Sequence, residues 1–213
     1  MVNIYQLDLP DPSFELMQTA KNIMANTVLD HDGKIWLDQK NSIDNSAEHL
    51  FFAPDKIDQM VQAEFGHLFE HEIKGMMAIF KNTHVTHSTI PPHIDRRKSM
   101  AINYYLDLGG SNVQTCFYEP VSAIDLDQAQ HFTYKEVEKQ CVGSIKFENN
   151  RWYAFNVNRC HSIENITGTR YFLAIYFKKD THQYNVKNLE NDYPNLIKNR
   201  FVLDPNVKDV GLE

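Results

Sequence analysis

Three residues distant from the N-terminus have the types and order of a metal site. His93 and Asp95 are separated by one residue, so in a strand their imidazole and carboxylate point to the same face. His161 adds a second imidazole far along the chain, at the head of a predicted strand. Two neutral imidazoles and one carboxylate leave three adjacent positions of an octahedral ion open, which suits iron(II) that also takes a chelating ligand and dioxygen. We therefore predict that these three side chains bind one metal ion.

A fourth polar residue, Arg170, stands nine positions after His161 and opens the apolar run Tyr171–Phe177. A guanidinium at the head of so apolar a strand is rarely buried unless an anion meets it. Period-two alternation places Arg170 on the same side as Phe172 and Ala174, and its planar fork binds a carboxylate bidentately. The alternative is an arginine that extends from the strand end into solvent.

A second motif competes for the metal. The segment His67-Leu-Phe-Glu70-His71 has the H-x-x-E-H spacing of one class of zinc peptidases. On a helix the two histidines would share one face and could bind zinc, with Glu70 between them. The alternative interpretation is the polar flank of an amphipathic helix predicted over 55–74. Zinc-dependent peptide hydrolysis is therefore a further alternative function.

The elements that position these residues fall into two groups. Apolar periodicity predicts helices over residues 13–27 and 55–74. A short strand is predicted at Lys34–Asp38, after a turn signal. From residue 76 onward, short runs rich in aromatic and β-branched residues predict strands. These strands are Met76–Phe80, Met100–Leu106, Val113–Tyr118, Val142–Phe147, Trp152–Val157 and Tyr171–Phe177.

This distribution predicts an α+β, mainly β fold in one domain. Helices gathered before several short strands favour a sandwich or barrel with a helical layer, and a double-sheet jelly roll is the simplest closure. We expect a helix-rich N-terminal layer at 1–75, a jelly-roll core at 76–178, and a peripheral tail at 179–213, with a short helix near 193–200 as the alternative.

Composition excludes several classes of function. The 213 residues carry a formal charge of -7, so a nucleic acid partner is not expected. Three cysteines, an odd number without C-x-x-C spacing, argue against a disulfide framework and favour a reducing cytoplasm. No window reaches the about 20 apolar residues of a membrane span, so no membrane partner is expected. The sequence contains no pattern that predicts the oligomeric state.

Two segments carry a resemblance to a known family. Residues 161–177 (HSIENITGTRYFLAIYF) and residues 101–106 (AINYYL) resemble strands of the Fe(II)/2-oxoglutarate-dependent dioxygenases, prolyl-hydroxylase-like branch. The resemblance implies a double-stranded β-helix (jelly-roll, cupin-like) core. It implies that Arg170 binds the cosubstrate 2-oxoglutarate and that Tyr105 offers its hydroxyl to the same carboxylate. We also assign Asn103 to the cosubstrate site, although family members carry an aliphatic residue there.

The resemblance also implies a reaction. Iron(II) held by His93, Asp95 and His161 would use 2-oxoglutarate and dioxygen to hydroxylate a substrate, releasing succinate and carbon dioxide. No motif identifies that substrate, which we expect to be a protein side chain, an amino acid or a small metabolite. A jelly-roll protein that binds a metal or small acid without turnover is the alternative function.

Overall fold

The computed structural model describes residues 2–26, 47–52, 55–82, 88–95, 99–120, 139–178 and 184–203. The helices in these ranges are α1 (Phe14–Asn26), α2 (Asp55–Phe65) and α3 (Val186–Asp192), with 3₁₀ turns at Gly66–Leu68 and Pro194–Leu196. The strands are β1 (Val2–Leu7), β2 (Ala47–Phe52), β3 (Ile73–Asn82), β4 (Ser88–His93), β5 (Met100–Asp107), β6 (Gln114–Pro120), β7 (Lys139–Ile145), β8 (Trp152–Asn156), β9 (His161–Ile166), β10 (Arg170–Phe177) and β11 (Ile197–Leu203).

These strands form two antiparallel sheets. The larger has seven strands in the order β11-β1-β8-β5-β10-β3-β2, and the smaller has four in the order β4-β9-β6-β7. The described part of the chain is therefore mainly β with few helices, as the aromatic and β-branched runs predict. The strand predicted at Lys34–Asp38 lies outside the described residues.

Alternation along the strands of the large sheet divides the buried residues between two cores. On β5, Ile102 and Tyr104 belong to a core that also contains Leu16 of α1 and Ile57 of α2. Ala101 and Tyr105 belong to a second core, shared with Phe117 of the small sheet. Because successive side chains in a strand point to opposite faces, Asn103 has the same orientation as Ala101 and Tyr105. The second core lies between the two sheets, and the site described below is built there.

The two N-terminal helices cover the outer face of the large sheet. Helix α1 begins after Ser13, whose Oγ accepts a hydrogen bond from the Leu16 N–H at 3.1 Å, a typical N-cap. Leu16 and Ala20 are buried, whereas Phe14, the first residue of the helix, is 82% exposed. Helix α2 buries Ile57, Val61 and Phe65, which are spaced four residues apart and so share one face.

The prediction of one helix over 55–74 is wrong at its C-terminal end. Helix α2 stops at Phe65, a 3₁₀ turn follows, and the backbone at Phe69 is extended. Strand β3 then starts at Ile73, where pairing with Phe177 of β10 provides the backbone hydrogen bonds that a helix would have supplied. Tertiary pairing thus overrides the apolar periodicity in this segment.

Helix α2 also caps part of the edge of β3. Strand β2 pairs with residues 77–82 of β3, and no described strand pairs with the first residues of β3 on this side. The Asp58 carboxylate accepts the Gly75 N–H at 2.9 Å, and the Gln62 side-chain amide donates to the Ile73 carbonyl. Side chains of α2 therefore make hydrogen bonds to this edge of β3 that a neighbouring strand would otherwise make.

The two ends of the described chain meet in the large sheet. Strand β1 pairs antiparallel with β11 on one side and with β8 on the other. The segment predicted as a tail or a short helix near 193–200 thus contributes a strand, and this difference arises because β1 offers it an unpaired edge. No helix among the described residues has the length and apolar character that crossing a membrane requires.

Candidate metal centre

His93, Asp95 and His161 come together on the rim of the space between the sheets. Their ligand atoms all lie within 4.8 Å of one another. His93 Nε2 is 3.8 Å from Asp95 Oδ1, and the His93 and His161 rings have centroids 4.3 Å apart. Among the described residues this is the one group of three or more His, Cys, Asp or Glu side chains with metal-binding geometry.

The position of His93 and Asp95 follows from the edge strand β4. Pro91 and Pro92 lack N–H donors, and an edge strand tolerates them because one of its sides needs no donors. The register of β4 against β9 shifts between Ile90 and His93, and His93 is then the direct cross-strand partner of His161. Asp95 lies just beyond the strand, where its N–H donates to the Val157 carbonyl at 2.8 Å. Adjacent strands and one backbone hydrogen bond therefore bring the pair to His161.

The orientation of the buried His161 ring is set by the backbone. Its Nδ1 donates to the carbonyl oxygen of Arg159 at 2.8 Å, which selects the neutral tautomer with the lone pair on Nε2. The ring packs against Phe117 and Phe155, with centroids at 6.1 and 6.0 Å. Such a hydrogen bond is the usual support for a metal-binding histidine. The sequence gives no sign of it, because the acceptor is a backbone atom.

Arg170 is buried in the same inter-sheet core, at 1% exposure. Its guanidinium carbon lies 4.7 Å from the centre of the Tyr105 ring and 5.8 Å from that of Phe172. Nη1 donates to the Leu108 carbonyl over a long 3.5 Å, and Nε has no hydrogen-bond partner among the described residues. Burial lowers the pKa of Arg170, opposed by Tyr105 and by the carboxylate of Asp107. The cation is thus only partly compensated by the described protein groups.

Two further polar residues lie next to this arginine. Asn103 is 5% exposed, its Nδ2 is 3.5 Å from the Tyr105 hydroxyl, and its Oδ1 has no partner among the described residues. Burial raises the pKa of Tyr105, and the neighbouring Arg170 and Asn103 oppose that shift. The hydroxyl therefore keeps its proton and is available as a donor. Arg170, Tyr105 and Asn103 form a buried polar group, which we call the arginine pocket.

A row of aromatic rings connects the metal-site residues to the arginine pocket. Phe155 contacts His161, Phe147 stacks on Phe155 at 5.5 Å, and Tyr105 stacks on Phe147 at 5.0 Å. The row continues to the guanidinium that lies over Tyr105. His161 and Arg170 therefore face one inter-sheet core, and His93 and Asp95 lie beside His161. Phe147 and Phe155 themselves follow the ordinary pattern of buried strand residues, so the sequence does not distinguish them from other core aromatics.

The zinc-peptidase motif does not assemble. His67 lies in the 3₁₀ turn and is exposed, whereas Glu70 and His71 follow it in a bend after the extended Phe69. The His71 ring packs against Phe177 and Tyr184, and its Nε2 lies 3.6 Å from Asp192 Oδ2. Because no single helix spans the motif, His67 and His71 are not on one face, and the motif forms no metal group here. Two further histidines near His93 in the sequence, His84 and His87, are candidates for the entrance to the site, but they lie outside the described residues.

Comparisons with known proteins give weak likenesses. No protein-family model matches the chain, and no curated protein matches it significantly. Among solved structures, the chain is similar to a Trichoplax adhaerens prolyl hydroxylase in complex with a hypoxia inducible factor oxygen degradation domain peptide fragment, at 14% identity and a TM-score of 0.41, with 79% of each chain covered.

Other solved structures resemble the chain to a similar degree. It is similar to a Pseudomonas putida prolyl-4-hydroxylase at 12% identity and a TM-score of 0.42, covering 83% of this chain and 91% of that one. It is also similar to vicilin from Corylus avellana at 9% identity and a TM-score of 0.34, covering 67% and 31%. At these values the likenesses carry no argument about activity, which depends on the side chains of the site.

Proposed function

We propose that the protein is a non-haem iron(II), 2-oxoglutarate-dependent dioxygenase that hydroxylates a small-molecule or peptide substrate. The observation that carries the proposal is the fully buried Arg170, whose Nε is unpartnered among the described residues, in the inter-sheet core that His161 also enters. A buried guanidinium calls for an anion, and a His-Asp-His group calls for a metal. A ligand that chelates a metal at one end and carries a carboxylate at the other satisfies both.

The strand order supports a double-stranded β-helix as the scaffold. Strands β8-β5-β10-β3 are contiguous in the large sheet, and β4-β9-β6-β7 make up the small one. Eight of the described strands, β3 to β10, are thus divided between two facing groups of four, and this division supports a jelly roll. Strands β1, β2 and β11 extend the large sheet beyond this core.

Each residue of the site has a task that its surroundings support. His93, Asp95 and His161 would hold the iron, with the Arg159 carbonyl fixing the His161 ring. Two neutral imidazoles and one carboxylate leave a divalent ion with net positive charge, which favours an anionic chelating ligand. Arg170 would bind the far carboxylate of 2-oxoglutarate, with Tyr105 and Asn103 beside it. When bound, iron(II), 2-oxoglutarate and dioxygen supply an oxidation that yields hydroxylated substrate, succinate and carbon dioxide.

The direct test is succinate formation from 2-oxoglutarate by the purified protein with iron(II) under air, without added substrate. We expect slow iron-dependent succinate release. His161→Ala and Asp95→Ala should abolish it, because each removes one of three metal ligands. His67→Ala should leave it unchanged, because His67 is an exposed residue of the 3₁₀ turn.

The same experiment separates turnover from the alternative of a non-catalytic binding protein. Binding of iron(II) and 2-oxoglutarate without any succinate, carbon dioxide or substrate oxidation would identify a binding protein. Full succinate production by both ligand variants would refute the proposed site.

A further inference from the structure

The arginine pocket contains an unpartnered polar atom besides the guanidinium. Asn103 Oδ1 is buried and has no hydrogen-bond partner in the described part of the chain, although the amide's other end reaches Tyr105. A buried amide oxygen without a partner costs free energy, and so does the unpartnered Nε of Arg170. Two unpartnered atoms in one buried group point to a ligand that contacts both residues.

The register places Asn103 on the wall of the predicted cosubstrate site. On β5 it is the cross-strand partner of Ala174 on β10 and of Tyr153 on β8, and all three residues are buried. Ala174 has a short side chain without polar atoms, so it offers the amide no hydrogen-bond partner. One step along the same face lies Tyr105, the shared neighbour of Asn103 and Arg170.

The two ends of an amide differ in what they can bind. Rotation by 180° about the last side-chain bond exchanges the oxygen and the nitrogen of Asn103 with little change in shape. With the nitrogen toward Tyr105, the oxygen occupies the unpartnered position and repels a carboxylate. With the oxygen toward Tyr105, Oδ1 accepts the tyrosine O–H, and Nδ2 offers its N–H groups to an anion. Only the second orientation gives Asn103, Tyr105 and a carboxylate beside Arg170 suitable hydrogen-bond partners at the same time.

We propose that Asn103, rather than Tyr105, is the second hydrogen-bond donor to the far carboxylate of the cosubstrate. In this arrangement Asn103 Nδ2 and Arg170 donate to the carboxylate, and the Tyr105 hydroxyl donates to Asn103 Oδ1. Tyr105 is then a positioning residue that holds the amide in its ligand-binding orientation. The inference rests on the proposed function, because it names how 2-oxoglutarate is recognised.

The test measures the Kd of 2-oxoglutarate by titration calorimetry on the full chain loaded with Mn(II), which replaces iron and prevents turnover. Asn103→Leu should weaken binding about tenfold or more, the loss typical of one hydrogen bond to a charged group. Asn103→Asp should weaken it further, because a carboxylate replaces the donor and competes for Arg170. Tyr105→Phe should cost less, about threefold, because it removes only the bond that orients the amide.

A matched ligand and a stability measurement isolate the role of the amide. 2-Oxopentanoate has the same chain length without the far carboxylate, so Asn103→Leu should leave its Kd unchanged. The ligand-free Asn103→Leu protein should have an unchanged or higher Tm, because the substitution removes an unpartnered buried group. Asn103→Ala, which adds no branched carbon, should lose 2-oxoglutarate affinity to the same extent and serves if the leucine variant does not fold.

Three results would overturn the inference, and they are distinguishable. A tenfold loss in Tyr105→Phe with wild-type affinity in Asn103→Leu and Asn103→Ala would make Tyr105 the donor while the proposed function stands. Equal weakening of 2-oxoglutarate and 2-oxopentanoate would show that Asn103 does not contact the far carboxylate. A wild-type protein that takes up Mn(II) but binds no 2-oxoglutarate would refute the proposed function itself.

Discussion

The free energy needed to bury the guanidinium of Arg170 is only partly recovered from its described neighbours. Two aromatic rings and one long hydrogen bond to the Leu108 carbonyl surround a cation that is 1% exposed. Aromatic faces attract a cation, but they do not replace the hydrogen bonds that water gave it. Such a residue lowers the stability of the ligand-free protein and raises its affinity for an anion.

Replacement of this arginine should therefore change stability and binding in opposite directions. Arg170→Met retains much of the apolar volume and removes the charge. The free energy of unfolding of the ligand-free protein should rise by roughly 1–4 kcal/mol, the range seen when apolar residues replace buried ionic groups. Binding of 2-oxoglutarate should be lost. Urea unfolding and calorimetry measure the two effects.

Arg170→Lys is the matched control, since it keeps the charge but replaces a fork by a single ammonium group. It should raise the Kd of 2-oxoglutarate without the gain in stability. An unchanged 2-oxoglutarate requirement in both variants would remove Arg170 from the site.

At the scale of elements, helix α2 approaches β3 at a position where only glycine fits. A Cβ placed on Gly75 would lie 2.6 Å from both Cβ and Cγ2 of Val61. The same glycine donates its N–H to Asp58 one turn earlier in the helix. The close approach is thus what lets α2 satisfy the edge of β3.

Gly75→Ala should consequently push α2 away from the sheet. We expect the free energy of unfolding to fall by about 1–3 kcal/mol, the usual cost of overpacking. Val61→Ala removes Cγ1 and Cγ2 but keeps Cβ, so it relieves part of the contact, and the double variant should lie closer to wild type than the sum of the two single effects. Chemical denaturation of the four proteins measures this coupling, and strict additivity would contradict the close-packing explanation.

For the whole molecule, side chains join regions that are far apart in sequence. The Tyr5 hydroxyl of β1 donates to Glu190 Oε2 of α3 at 2.6 Å. Desolvation, followed by the hydrogen bond and the charge of Glu190, raises the pKa of Tyr5 to about 12. Burial also raises the pKa of Tyr104 and of Tyr153 from the usual 10.0 to about 12.

These shifts predict a loss of stability in alkali. The unfolded chain releases its tyrosine protons near pH 10, whereas the folded chain holds these three until about pH 12. The unfolded state therefore binds fewer protons between these values, and the free energy of unfolding must fall as the pH rises through this window. Denaturant titrations from pH 9 to about pH 12 measure the slope.

Tyr5→Phe should give a shallower slope, because one of the late-titrating hydroxyls is gone. Glu190→Gln keeps a hydrogen-bond acceptor and removes the charge. The dependence of its unfolding free energy on pH should therefore lie between that of the wild type and that of Tyr5→Phe. Identical slopes in all three proteins would contradict the assignment of Tyr5.

The sequence by itself determined the mainly β character of the second half, most of its strands, and the order of the residues proposed for the site. Alternation and β-branched content are local properties, so β5, β8 and β10 fall within a residue or two of the predicted runs. The H-x-D spacing, the distant histidine and the arginine that follows it are likewise visible without a fold. Their roles as metal and cosubstrate ligands stay predictions.

Only the tertiary structure decided where these residues meet and which competing pattern fails. His93 faces His161 because β4 and β9 pair in one register, and a one-residue slip would turn either ring to the opposite face. The end of α2 at Phe65, the strand at Ile197–Leu203 and the unpartnered Oδ1 of Asn103 likewise depend on partners distant in the chain. Hydrophobic periodicity indicates which residues of an element face a core, whereas strand pairing determines which residues are buried together.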